Sequence, residues 1–510
     1  MIPSRTEPPS AREPAGASQV DSALDLGTIA IAVAWLGKLV PQALAARLQT
    51  DECFHATVSR DIAAHGTLPA RIDGLYGGFS YFYPPLYHVV GAIAFRAGGL
   101  DGFRMANVAV AAAVLIVAAA GAARLAGRSA ARWAACLCMA TGFLALHAVR
   151  MYVEELSTLL VVAALLRTAA LVRRPTPREG VVAGFLAGLA IVAKLSALVL
   201  PPAFVIAAAV FAWRGRRDAA RALVVAALVA VAVAGPFFVR NAVLFGSPIY
   251  PAFGRDLDAF VLALNVRHFT PTATALWADT ARCTGAAIGG AVLLAVVLAF
   301  RTRRGVTEAV LVLLAAAFAF AAPLQSLVEA RHLLPLMIAA GALASASLAA
   351  SLAPHPRARR ALDAVLLLLA AWAVVGMPHW RTVEDLDEPL AMAPVFAAVR
   401  AHVPAGETVL ARETYDTFWY AGRNANWPVP FGQPDVPIAM FLTSDPDSVA
   451  AAMERHGLRW ALVTDEPVPG PFDGADWPES FTSAVARLEA QGRAREVWSS
   501  DDATLWRFGR

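Results

Sequence analysis

Long apolar stretches separated by short arginine-bearing loops fill the first three quarters of the chain. Blocks such as 221–239, 286–300, 309–324 and 361–375 are almost free of charge. A membrane-crossing helix needs about 20 apolar residues, fewer where the bilayer thins or other helices enclose it. The pattern predicts spans near 26–46, 103–123, 133–148, 156–172, 180–194, 196–213, 221–240, 284–300, 306–323, 332–352 and 361–377, eleven in all. The fifth and sixth are short and separated by little more than Lys194.

The loops support this count. Arg124, Arg128 and Arg132 occupy one loop, and Arg173, Arg174 and Arg178 the next. Arg214, Arg216, Arg217 and Arg221 follow, then Arg301, Arg303 and Arg304, then Arg357, Arg359 and Arg360. Against these stand only Glu179, Asp218 and Glu308. Cytoplasmic loops collect Arg and Lys, and eleven spans put all five on the side of the N-terminus. The expected topology has the N-terminus inside and the C-terminus outside.

The polar residues 1–25, rich in Pro, Ala and Ser, are expected to be a disordered cytoplasmic N-terminus. Ala43-Leu44-Ala45 imitates a signal cleavage site, but the first span is expected to be retained. A transmembrane domain over 26–380 would then precede an extracytoplasmic α/β domain over 381–510. That tail reads as a helix near 391–402, a strand near 407–412, a helix near 445–456, a strand at 459–464 and a terminal hairpin near 494–508. The outer loop 47–102 contains an apolar piece, 84–97, beginning at Pro84-Pro85 and flanked by Tyr81, Tyr83 and Tyr87. Counting it as a span would turn Arg124, Arg128 and Arg132 outward, so it is read as an interfacial helix.

Composition agrees with the membrane reading. Of 510 residues, 58% are hydrophobic and 16% charged, against about 45–50% and about 25% in soluble chains. A soluble enzyme is excluded. The net charge of +4 offers no basic face for nucleic acid. Only two of the 43 cations are lysines, Lys38 and Lys194, both inside apolar segments. Cys136 and Cys138 lie in an apolar run, whereas Cys53 and Cys283 fall on the outer side, where a disulfide is chemically allowed.

The candidate chemistry gathers on that outer side. Asp51-Glu52 follows the first span, and Glu154-Glu155 follows the third, preceded by His147, Arg150 and Tyr152. Adjacent acids at the membrane boundary need water or a partner. A solvated helix end is the ordinary explanation. The alternative is that Asp51, Glu154 and Glu155 share a divalent cation, Mg or Mn, or deprotonate a hydroxyl. Arg240 in Pro236-Phe-Phe-Val-Arg240-Asn241 and Arg331-His332 sit at outer helix ends. Each is either a snorkelling anchor or a phosphate ligand. Lys194 requires an anion or a wet cavity. Aromatic residues over 415–431 are expected to form the core of the tail rather than a sugar platform. No Gly-rich phosphate loop, zinc spacing or nucleophile elbow is present.

Asp51-Glu52, Tyr83-Pro84-Pro85-Leu86 and the second-loop acids resemble the GT-C superfamily of membrane glycosyltransferases. Gly188-Leu-Ala-Ile-Val-Ala-Lys194, Gly246-Ser-Pro248-Ile-Tyr250-Pro251 and Arg331-His-Leu-Leu-Pro335 add to the likeness. The branch it resembles contains the protein-mannosyltransferase, aminoarabinose-transferase and Rgt-like enzymes. The resemblance implies a hexosyl or pentosyl transferase that moves a sugar from a polyprenyl-phosphate carrier to an extracytoplasmic glycan, lipid or protein. It also implies Asp51 as general base, with Glu52, Glu154 and Glu155 assisting. Lys194, Arg240, Arg331 and His332 would hold the phosphate, and Tyr83, Arg150, Tyr152 and Tyr250 would line the site. A single displacement with one base inverts the anomeric centre. A transporter of a lipid-linked saccharide is the alternative, although paired similar halves, common in transporters, are not evident. A scaffold whose tail binds a partner is a weaker one.

Overall fold

The apolar blocks become helices whose breaks fall at glycine, proline or charge. A computed structural model describes residues 15–48, 51–75, 79–250, 334–377, 392–411, 413–426, 444–464 and 477–509. In chain order come α1 (Ala15–Ala45), α2 (Asp51–His65), α3 (Leu86–Ala126), α4 (Arg128–Met139), α5 (Gly142–Val149) and α6 (Glu154–Arg173). Then follow α7 (Pro177–Ala193), α8 (Leu200–Trp213), α9 (Arg217–Phe245), α10 (Leu334–Ser351) and α11 (Pro356–Val375). Eight of the eleven expected spans each fall on one of these helices, that near 133–148 falls on α4 and α5, and those near 284–300 and 306–323 lie outside the described residues. Among the described residues Gln19–Ala45, α3, α6, Leu195–Trp213 and α9 are long and apolar enough to cross a membrane, and the α4–α5 pair raises that number to six. The chain is a multi-pass membrane protein.

Three expectations change. Residues 15–25 are not disordered: α1 begins at Ala15. There Asp21 and Asp25 meet Arg132 at 3.1 and 2.8 Å. Arg132, expected in a loop, lies buried in α4 and also holds Asp363 of α11 at 2.9 Å. Trp133 Nε1 donates to the same carboxylate (2.7 Å). A buried guanidinium is tolerable only when paired, and this one ties three helices. The expected single span 133–148 is two helices bent by 61°, parted where Thr141 is extended. The loop after the first span, read without a helix at its start, carries α2, whose buried face includes Glu52, His55, Thr57 and Ser59.

The apolar piece after Pro84-Pro85 is helical, as expected. It runs straight into the second span as α3, broken at Gly98 and Gly99, the latter at φ +61°. Glycine alone adopts that conformation without strain. Before it, β1 (Arg71–Ile72) and β2 (Phe79–Ser80) form a small antiparallel hairpin.

Helix α7 begins with Thr176, whose side chain accepts from Glu179 N, and Pro177, a capping signature. It packs on α9 through Gly180, Gly184 and Gly188. A Cβ at the first two would run into the carbonyls of Ala222 and Ala226. Small residues at this spacing let membrane helices approach closely. Lys194 is delivered at the end of α7, where the backbone turns extended.

The tail folds as read, with additions. β3 (Thr408–Ala411), β4 (Asn424–Asn426), β5 (Trp460–Thr464), β6 (Ala494–Ser499) and β7 (Ala503–Phe508) make a mixed sheet of order β4-β3-β5-β7-β6. Helix Ala393–His402 covers one face through Val395, Phe396 and Val399. Helices Pro446–Arg455 and Trp477–Ala490 cover the other through Val449, Met453, Phe481 and Leu488. Leu75 of the outer loop adds a parallel bridge to Ala425, with Ala425 N donating to Gly74 O (2.8 Å). Gly74 is at φ +84°, and a Cβ there would strike Asn424 and Phe418.

Candidate active site

Asp51 opens α2 half-buried, and Glu52 beside it is sealed in. Glu52 Oε2 pairs with Arg150 Nη1 at 2.6 Å, and its Oε1 accepts from Met151 N at 3.0 Å. The turn that presents Arg150 is braced from α3. Asn107 Nδ2 donates to the carbonyls of His147 (2.6 Å) and Arg150 (2.5 Å). Tyr87 Oη donates to Asn107 Oδ1 at 3.4 Å.

The second acidic pair opens α6. Glu154 Oε1 takes Lys194 Nζ at 2.6 Å, which supplies the anion that the intramembrane lysine requires. Glu155 is wholly buried, and neither of its carboxylate oxygens has a hydrogen-bond partner among the described residues. Tyr87 lies within electrostatic reach of Glu52, Glu154, Glu155 and Tyr152. The structure therefore brings Glu52, Glu154 and Glu155, far apart in the chain, around one tyrosine. Tyr152 packs edge-on against His147 with centroids 5.3 Å apart.

Arg240 has a different setting from the one expected. Its Nη1 donates to Tyr81 O (2.9 Å) and Asn241 Oδ1 (3.2 Å), and its Nη2 to Pro69 O (2.8 Å). Here it anchors both feet of the β1–β2 hairpin, Pro69 before β1 and Tyr81 after β2. Tyr250 stacks on Phe245 (4.9 Å) and meets Phe82 edge-on (5.3 Å). Tyr83 packs against Phe54 at 5.0 Å. Arg331 and His332 lie outside the described residues. Lys38 donates to Val375 O (2.8 Å) at the end of α11.

The tail closes over α2. Tyr420 Oη donates to Leu48 O (2.8 Å), Arg60 lies 4.5 Å over the Trp419 ring, and Tyr415 packs on Phe54 (5.2 Å). These aromatic residues thus cover the membrane unit as well as the tail; Trp427 and Phe431 lie outside the described residues. Cys53 is a buried free thiol whose Sγ donates to Asp416 Oδ1 at 3.6 Å. Burial, then the charges of Asp416 and Glu52, pushes that thiol up, so it stays protonated. Cys283 lies outside the described residues. Among the described residues no three His, Cys, Asp or Glu side chains form a metal-holding group.

His55, His88, Asn107 and Asp416 escaped the sequence reading. The signal that could have found them is polar residues inside otherwise apolar or covered segments.

A family model described as a domain of unknown function (DUF8201) matches residues 112–357. No curated protein matches the sequence. Among solved structures, ArnT from Cupriavidus metallidurans bound to undecaprenyl phosphate is similar with a TM-score of 0.63 at 15% identity, over 95% of this chain and 98% of that one. The archaeal oligosaccharyltransferase AglB from Archaeoglobus fulgidus, in complex with an inhibitory peptide and a dolichol-phosphate, gives 0.66 at 11% identity, over 93% and 79%. The fold is that of the GT-C glycosyltransferases. Identities this low speak for the GT-C fold alone, and the likeness covers helices, outer loop and tail together.

Proposed function

We propose that this chain transfers a sugar from a polyprenyl-phosphate carrier to an acceptor outside the cytoplasm, with inversion and with Asp51 as base. The observation that carries the reading is two ion pairs, the sealed Glu52–Arg150 next to the half-buried Asp51 and the part-buried Glu154–Lys194, within a GT-C fold. In the proposed step the acceptor hydroxyl gives its proton to the Asp51 carboxylate as its oxygen bonds to the anomeric carbon. The bond from that carbon to the phosphate oxygen breaks, and the electron pair leaves with the carrier phosphate. Lys194 exchanges Glu154 for the phosphate, so its ammonium neutralises the growing charge. Arg331 and His332 complete the phosphate site, and Arg240 holds the loop that frames it. Glu154 and Glu155 then accept from sugar hydroxyls, which would satisfy the orphaned Glu155 oxygens. Tyr83, Tyr152 and Tyr250 line the approach.

The transmembrane unit over 26–380 is read as embedded in a bacterial plasma membrane with its N-terminus inside. The tail over 381–510 then stands outside, where the acceptor is.

The test is sugar release in proteoliposomes, with radiolabelled polyprenyl-phosphate sugars and a membrane extract as acceptor pool. The wild type is expected to move label off the carrier. Asp51→Asn, with unchanged helical circular dichroism, should lose about 10²–10⁴-fold in turnover. Near-normal turnover in that variant sinks the assignment of Asp51. Labelled carrier crossing the bilayer with no sugar consumed sinks the transferase reading in favour of a transporter.

A further inference from the structure

Three buried side chains unused by the transfer step form one hydrogen-bonded chain. Tyr81 Oη lies 2.8 Å from His88 Nδ1, and His88 Nε2 lies 2.9 Å from His55 Nδ1. Tyr81 is 0%, His88 1% and His55 4% exposed. The direction of the chain follows from the tyrosine. Its hydroxyl has His88 as its partner, and a buried O–H left without an acceptor is strongly disfavoured. Tyr81 therefore donates to His88 Nδ1. With Nδ1 accepting, His88 carries its proton on Nε2 and donates to His55 Nδ1. With its own Nδ1 accepting, His55 carries its proton on Nε2. Burial pushes the Tyr81 hydroxyl up, against the opposing pull of Arg240, so the phenol keeps the proton with which the chain begins.

The chain has informative ends. His55 follows Asp51 by one helical turn on α2, and residues so spaced share a face. At the other end the Arg240 guanidinium lies 5.4 Å over the Tyr81 ring and takes the Tyr81 carbonyl. Arg240, Tyr81, His88 and His55 thus run without a gap from α9 through the outer loop and α3 into the helix that begins with Asp51. A His55 protonated on Nδ1 would set two N–H groups head to head across the contact with His88 and loosen α2 from α3.

We propose that Tyr81, His88 and His55 are positioning residues for the transfer: their chain locks His55 in the Nε2–H form and fixes the face of α2 that presents Asp51. The catalytic half of this rests on the transferase reading above; the tautomer does not.

Long-range 15N–1H NMR on the full chain in detergent, with 15N-labelled histidine rings, reads the tautomer directly. The His55 signals are those lost in His55→Asn. The wild type is expected to show His55 as Nε2–H. Tyr81→Phe, which keeps the ring under Arg240 and removes only the hydroxyl, should move His55 toward a mixture of both tautomers. An Nδ1–H His55 in the wild type overturns the proposal. In the proteoliposome assay, Tyr81→Phe and His88→Leu should lower kcat about 10–100-fold at unchanged donor KM, the scale of a small misplacement. His88→Gln, whose amide can accept through Oε1 and donate through Nε2, should return kcat to within about threefold of the wild type. An unchanged kcat in both Tyr81→Phe and His88→Leu overturns the positioning role. If the wild type transfers no sugar, the transferase reading falls alone, and the ring nitrogens still decide the chain.

Discussion

Glu52 and Glu154 each find a cation from a later helix end, but the two pairs differ in what they can release. Arg150 and Glu52 are both sealed, with side chains 6% and 1% exposed, whereas Lys194 is 18% exposed. Removing one partner of a sealed pair strands the other charge at a cost of about 3–5 kcal/mol, while replacing both by apolar groups is often neutral. Glu52→Gln is therefore expected to lower the apparent Tm in detergent sharply, and Glu52→Leu with Arg150→Met to recover most of it, as thermal aggregation would read. Lys194→Ala should instead act on the donor, raising its KM about tenfold, or about 1.4 kcal/mol, as a carrier titration would show. An unchanged KM would remove Lys194 from the phosphate site. The charged residues of these pairs were legible in the sequence because a charge at the end of an apolar block must be paired or solvated. His55, His88 and Asp416 were not legible, since their partners are set by the fold. His55 finds His88 33 residues away, and Asp416 finds Cys53 at a separation of 363.

At the scale of elements, the spans were readable because an unbroken apolar block has few other places to go, and the tail because its strands alternate between turns. Helix α2 was not, since polar groups on its buried face blur the period that marks an amphipathic helix. The bend between α4 and α5 was hidden for the opposite reason, a continuous apolar run across Thr141. Packing of α7 on α9 makes a prediction of its own. Gly184→Leu forces a side chain into the Ala226 carbonyl and should part the two helices. Overpacking of this kind costs about 1–3 kcal/mol. Lys194 would swing away from Glu154 with the end of α7. The expected result is lower apparent Tm together with weaker carrier binding, whereas loss of stability alone would show that the two are uncoupled.

For the molecule as a whole, the tail is part of the structure that surrounds α2 rather than an appendage. Ala425→Pro removes the N–H that Gly74 O accepts. Amide hydrogen exchange over residues 66–81 should speed up in that variant while the strands β5 to β7 keep their protection. Protection unchanged in the outer loop would show that the bridge contributes nothing to its order. The same contacts set a schedule for the newborn chain. Leu48 receives its hydrogen bond from Tyr420, 372 residues later. At the ribosomal pace of about 5–20 residues per second, that partner is made roughly 20 to 70 s after Leu48 itself. During that interval α2 and the segment before it stay uncovered. The protein therefore exists first as an incomplete precursor, whose α2 is covered only when its last quarter has been synthesised and folded down.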